Sequence, residues 1–178
     1  MEMNSLGDLM YVHTSVNSCI PEIRSIISMA SGIKLENIRN GLSIRGADLV
    51  RQSGNALLSF QPEDSFIIFY LKPTDDTNIT TTEPDGSISN IISLQLNMNI
   101  YGNDCVDRQQ RLKSRIKSDK YRDLLDQYGF VIRSMNNGTL FTEAINDIFY
   151  LRTDTSLDFD AVISYPADET DEICDCNR

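Results

Sequence analysis

Asp154, Asp158 and Asp160 lie close together near the C-terminal end of the sequence. Clustered carboxylates are the raw material of an acid/base pair or a divalent-cation site, and the chemistry they would serve is metal-assisted hydrolysis. The segment that carries them, IFYLRTDTSLDFDAVISYP, argues for a plainer role. Its residues alternate, with Leu151, Thr153, Leu157, Phe159, Ala161 and Ile163 on one side and Arg152, Asp154, Asp158 and Asp160 on the other. That alternation predicts a long strand, with a bulge expected near Thr155. Acids on the wet face of a half-buried strand keep a sheet soluble. The remaining chemistry is sparse. His13 is the one histidine in the chain, and with no motif around it it reads as a polar residue near a chain end, because histidine chemistry needs an oriented partner. Cys174-Asp175-Cys176 has two thiols but no histidine nearby to complete a zinc-ligand pattern. Cys19 and Cys105 read as small buried hydrophobes. With no phosphate loop, paired histidines, nucleophile elbow or kinase signature, the expectation is no catalytic residue, no metal ligand and no cofactor.

These side chains are positioned by a short series of elements. In CIPEIRSIISMASGI, Pro21 and Glu22 suit a first helical turn, Ile23, Ile26, Ile27 and Ala30 form an apolar stripe, and Gly32 ends it. The segment KLENIRNGLSIRGADLVRQSGN contains Gly41, Gly46 and Gly54 and predicts short helical turns and loop. SFIIFYL predicts a strand that stops at Lys72-Pro73. Residues 74–90 are polar, with Pro84-Asp85-Gly86 as a turn signal, and predict a projecting hairpin polar on both faces. From Ile92 to Ile100 apolar and polar residues alternate strictly. Leu94, Leu96 and Met98 share one face, and Ser93, Gln95, Asn97 and Asn99 share the other. Past Gly102 the spacing becomes helical through Cys105, Gln109, Leu112 and Ile116, with Val106 beside them and Asp107 and Arg111 placed to pair. A second helix runs from a Ser118 cap through Leu124 and Leu125 to Gly129. FVIRSM and TLF flank Asn136-Asn137-Gly138, which predicts a hairpin turn, and EAIND predicts a helical turn.

Strands in succession without regular crossovers predict an α+β fold, a mixed but mostly antiparallel sheet with long strands flanked by helices on one face. At 178 residues, 40% hydrophobic and 24% charged, the chain suits one domain, residues 1–166, followed by an acidic flexible tail, 167–178. The formal net charge of −10 repels phosphate and argues against a nucleic-acid reader. No apolar run approaches the roughly 18 residues of a membrane span, and no secretory signal is visible, so a cytosolic site of synthesis is expected.

The strand ISLQLNMNIYG, the helix CVDRQQRLKSRI, the short helix ending in LLDQYGF, the strand FVIRS and the strand opened by INDIFYLRTDTSLDFDAVISY together resemble the neck or tail terminator proteins of tailed bacteriophages. The N-terminal helix and SFIIFYLKP extend the resemblance over about residues 19 to 165. The resemblance implies a structural virion protein at the head–tail neck, assembled in the host bacterial cytoplasm. It implies a ring of identical copies, a hexamer in preference to a dodecamer, that docks portal-complex, neck or tail proteins and lets genomic DNA pass without specific contact. It implies no catalytic residues. The expected contact surfaces are the acids of the polar loop, Asp75, Asp76, Glu83 and Asp85, and the amide face Gln95, Asn97 and Asn99. Two other readings compete: a cytosolic adaptor acting through residues 74–90, and a small metal-dependent hydrolase using Asp154, Asp158 or Asp160.

Overall fold

The computed structural model describes residues 2–3, 9–10, 13–41, 63–74, 79–136, 138–145 and 147–166. Its spine is a pair of antiparallel strands, β6 (Ile88–Tyr101, 14 residues) and β9 (Ile148–Tyr165, 18 residues), paired without a register shift from Ile88↔Tyr165 to Tyr101↔Arg152. Because facing residues in an antiparallel pair share a side of the sheet, the register settles both faces. Leu94 faces Phe159 and Leu96 faces Leu157 on one, while Gln95 faces Asp158 and Asn99 faces Asp154 on the other. The alternation read from both segments is therefore realised, and the bulge expected at Thr155 is absent from this pairing.

Four more strands flank the spine. β4 (Phe66–Pro73) and β5 (Ile79–Thr82) lie end to end along β6, at Leu94–Tyr101 and Ile88–Ile91 respectively. β7 (Phe130–Asn136) and β8 (Leu140–Ile145) lie end to end along β9. A short β3 (Ile38–Asn40) adds to β4 in parallel, the one parallel pairing among the strands of this sheet. It replaces part of the loop expected after the first helix, and residues 42–62, which include Gly46 and Gly54, lie outside the described residues. A separate pair, β1 (Glu2–Met3) with β2 (Leu9–Met10), precedes them. The sheet is mixed and mostly antiparallel, as expected of the α+β class.

Three α-helices are present among the described residues: α1 (Ile20–Ser31), α2 (Cys105–Ile116) and α3 (Asp119–Gln127). They bury Ile23, Ile26, Ile27, Leu112, Ile116 and Leu125 against the Leu94, Leu96, Met98, Leu157, Phe159 side of the sheet in one apolar cluster. Each such fully buried side chain contributes about 1.5–3 kcal/mol relative to exposure. Gly32 ends α1 in the left-handed region, φ 75°, as its position predicts. The carbonyls at that end are capped from α2: Arg108 donates to Gly32 O (3.0 Å) and Arg115 to Met29 O (2.7 Å), placing positive charge at a helix C-terminus.

Several local expectations are corrected. Asn136-Asn137-Gly138 makes no hairpin turn, because β7 and β8 both pair with β9 and run in the same direction; the segment is a break within one edge, and Asn137 itself lies outside the described residues. EAIND is strand and hairpin instead of helix. β8 ends at Ile145 and β9 begins at Ile148, with Asp147 at φ 63° between them; residue 146 lies outside the described residues. The register shift of the sheet falls between Ile132 and Ser134. Ser118 occupies the N-cap position of α3, but its hydroxyl donates back to Arg115 O. Val106 is exposed, and the i,i+4 pair at the start of α2 joins Arg108 to Asp104 at 2.7 Å, three residues before the expected Asp107 and Arg111. His13 is a core residue, 1% exposed, stacked on Phe130 and donating from Nε2 to Tyr128 O at 2.8 Å. Its backbone reaches it there through a bridge to Ile163, a long-range contact that no local motif announces.

Candidate assembly surface

The sheet face opposite the helices carries the aspartates and amides singled out by the sequence. Asp158 accepts from Gln95 Nε2 (2.9 Å) and Ser134 Oγ (2.6 Å). Asp160 accepts from Ser93 Oγ (2.9 Å) and Arg133 Nε (2.7 Å). Asp154 accepts from both Nε and one terminal nitrogen of Arg152, at 2.6 and 3.0 Å. Each carboxylate thus has its own donors, Asp158 and Asp160 from the neighbouring strands and Asp154 from Arg152 of its own strand, so they do not converge. No group of three or more His, Cys, Asp or Glu side chains among the described residues is arranged to hold a metal ion. Gln95 and Asn97 are joined, Asn97 Nδ2 donating to Gln95 Oε1 at 3.3 Å. Gln95 also lines a depression of about 330 Å³ with Thr74, Ser93, Arg133 and Asp158.

Farther along the same face lies an aromatic cluster of Phe66, Ile68, Tyr101 and Tyr150. Phe66 and Tyr101 stack with ring centroids 4.4 Å apart. Arg152 spans this cluster and the hairpin: its guanidinium donates to Glu143 (2.8 Å) and sits 4.6 Å from the Phe141 ring centroid. Tyr101 donates its hydroxyl to the same Glu143 carboxylate at 2.7 Å. Burial, followed by that bond to Glu143, pushes the Tyr101 phenol well above its ordinary range.

Glu83 and Asp85 sit at the exposed turn between β5 and β6, where Asp85 accepts from the Ser87 amide and hydroxyl at 2.9 and 2.6 Å. These bonds, led by the hydroxyl, hold the Asp85 carboxyl below the usual carboxylate range. The strand rise of about 3.4 Å per residue puts this turn roughly 30 Å from Gln95, so loop acids and amide face do not form one patch. Asp75 and Asp76 lie outside the described residues, as does the tail 167–178 with Cys174 and Cys176. The hairpin is less isolated than its composition suggests, since Ile88–Ile91 of its second arm also pairs with Val162–Tyr165 of β9. Nor is it wholly polar, since Ile79, Ile88 and Ile91 are exposed on it.

Two features were invisible to sequence reasoning. The β8–β9 hairpin runs beyond the helices, leaving Leu140, Phe149 and Leu151 exposed by 52%, 69% and 37%. The facing pairs Leu140↔Thr153, Thr142↔Leu151 and Ala144↔Phe149 put these apolar groups on one side of it. Along the outer edge of β7, a groove of about 500 Å³ lies against the α2–α3 junction. Its floor is Leu125, Phe130, Ile132 and Met135, and Lys117 and Arg122 stand at its rim. Reading EAIND as helix hid the first. The second needs the α2–α3 corner and the β7 edge together, and no single segment encodes it.

Fold and surface together define a class: an α+β protein whose sheet-face carboxylates are engaged by its own donors and whose β8–β9 hairpin carries several exposed apolar groups. The family model described as phage neck terminator protein matches residues 32–176, and the chain belongs to that family. It is by that membership a structural protein of the phage neck. No curated protein matches the chain. No helix among the described residues is long and apolar enough to cross a membrane.

Proposed function

We propose that the protein assembles with copies of itself into a ring at the head–tail neck of a phage virion and there docks portal-complex, neck or tail proteins. The reading rests on family membership over residues 32–176. The observation that carries it beyond the family is the exposed apolar side of the β8–β9 hairpin, which a protein acting alone has no reason to leave in water. A ring is the closed outcome of a repeated head-to-tail contact, and a hexamer is favoured over a dodecamer. Glu83 and Asp85 at the β5–β6 turn, with Asp75 and Asp76 of the same loop, are assigned to a neighbouring neck or tail protein. Gln95, Asn97 and Asn99 are assigned to contact with an adjacent subunit, since amides pair at little cost when hydrogen-bonded. An excess of 26 acidic over 16 basic residues suits a lumen through which DNA passes without sticking. Assembly in the host bacterial cytoplasm and one domain over residues 1–166 belong to the same reading.

Electron microscopy and light scattering of the purified protein test it. Closed rings of uniform size are expected. A protein that stays monomeric at every concentration and never joins portal-complex or tail proteins overturns it.

A further inference from the structure

The β8–β9 hairpin and the β7-edge groove are an unpartnered apolar projection and an unpartnered apolar hollow on the same molecule, and we infer that they are the two halves of one contact: the hairpin tip of one copy, led by Phe149, seats in the groove of the next. The inference rests on the ring reading and supplies its geometry. Three observations bear on it. The groove volume, about 500 Å³, lies within the ~300–1,000 Å³ of pockets that enclose a drug-sized molecule, which leaves room for an aromatic side chain. The tip presents one ring, Phe149, with Leu151 next along the same side and Leu140 farther from the turn, matching a floor of Leu125, Phe130, Ile132 and Met135.

Charge runs the same way. Asp147 is exposed at the turn two residues before Phe149, and the groove rim carries Lys117 and Arg122 on a chain whose net charge is −10. Arg133, also on the rim, is held by Asp160, and Asp126 is the one carboxylate lining the groove. Arg122 is poorly held within its own copy: its partner Asp119 is 3.7 Å away and both side chains are mostly solvent-exposed.

The contact has to be between copies. Phe149 lies on the same unbroken strand as Leu157, which faces Met135 in the groove wall. Eight residues of extended chain separate the two by about 26 Å at ~3.3 Å per residue, so a copy cannot fold its own tip into its own groove. A projection that fits a hollow elsewhere on an identical molecule is a heterologous contact, which closes into a ring when the rotation per copy divides a full turn.

The test uses the full chain with Cys174→Ser and Cys176→Ser, in which the remaining cysteines, Cys19 and Cys105, are buried. Ile148→Cys, at an exposed position beside Phe149 that leaves the ring in place, and Arg122→Cys are made singly and together and treated with a short bismaleimide. The double variant is expected to give a ladder ending at the ring, the two single variants mixed to give dimers, and neither single variant alone to link. Separately, Phe149→Ser is expected to weaken self-association about 30-fold or more, the scale of an interface hot spot. Lys117→Glu with Arg122→Glu weakens it at least several-fold. Both leave the circular dichroism spectrum unchanged, as the replaced side chains are exposed. Rings that persist in Phe149→Ser, with no 148–122 link in the cysteine pair, overturn this docking and leave the ring reading standing. A parent that never self-associates or joins neck partners overturns both.

Discussion

Gly138→Ala is the substitution that most directly tests the break between β7 and β8. An added Cβ at Gly138 would lie 1.0 Å from Asp154 O, 2.1 Å from the Asp154 carbonyl carbon and 2.7 Å from Gln109 Nε2. These contacts predict a steric effect. Restoring ordinary contact, which begins near 3.4 Å, requires the edge to retreat from β9 by more than about 2 Å, farther than a hydrogen bond survives. Two bonds span that gap, Thr155 Oγ1 to Asn136 O (2.6 Å) and Asp154 N to Thr139 O (3.4 Å), and a third, from Gln109 Nε2 of α2 to Asp154 O (3.1 Å), ends on the oxygen the new Cβ would strike. At about 0.5–1.5 kcal/mol each their loss totals roughly 3 kcal/mol, at the upper end of overpacking penalties. A chain of this size loses about 2–4 °C of Tm per kcal/mol, so a fall of about 6–12 °C is expected. Thermal melts followed by circular dichroism read it, with hydrogen exchange at the Asp154 amide as a local probe and Thr139→Ala, at an exposed site, as control. A Gly138→Ala protein melting within about 2 °C of the parent refutes the steric account.

Other perturbations probe the core, the hairpin base and the charges. Arg152→Met removes the donors to Glu143 and Asp154. Because both carboxylates are partly exposed, the expected loss in thermal or urea stability is only about 1–2 kcal/mol. Burial, with Glu22 adding to it, pushes the Cys19 thiol up to about 12. Its neutral form therefore stabilises the fold below the unfolded thiol value, and that contribution is lost as pH rises from about 9 towards 12. In the Cys174→Ser, Cys176→Ser background, thiol reagents at pH 8 should label almost nothing until denaturant is added. For Asp104, burial alone would raise the carboxyl, but hydrogen bonds from Ser65 and Arg108 outweigh it and hold the group below the usual carboxylate range. Its contribution is present above about pH 4 and lost as pH falls through the folded value. Asp104→Asn should accordingly be less stable than the parent at neutral pH, with the gap narrowing in acid melts near pH 2.

The central strands were legible because period-two patterning survives wherever one face is buried and the other wet: Leu94 to Ile100 and Leu157 to Ile163 read correctly, while Thr155, read as a bulge, keeps the alternation and is buried. The helix over Cys105 to Ile116 was legible for the same reason at a different period, and Gly32 as a stop because only a left-handed residue closes α1 there. The errors have one source. Asn136-Asn137-Gly138 carries strong local turn chemistry, yet β9 is long enough to accept two consecutive partners on one edge, and Gly138 serves close backbone approach instead of reversal. The true reversal, at Asp147, uses residues that fit helix equally well, and so the hairpin it creates went unread. Of the surface, the identities of Gln95, Asn97, Asn99 and the three aspartates were accessible in advance. Their mutual hydrogen bonding depended on register, which only the paired strand supplies. The groove beside β7 exists only once the α2–α3 corner meets the sheet edge.

The position of β9 in the sheet also governs when the molecule takes shape. It is the last strand described in chain order, yet β6, β7 and β8 all find their main partner in it. While translation has not delivered residues 148–165, three strands wait with open backbone, and the helices have only half a sheet to cover. Non-local closure of this kind is slow, and waiting edges invite pairing with other nascent chains. Newly made copies therefore meet a window in which promiscuous pairing competes with completion, and that window shuts when the eighteen residues of β9 arrive.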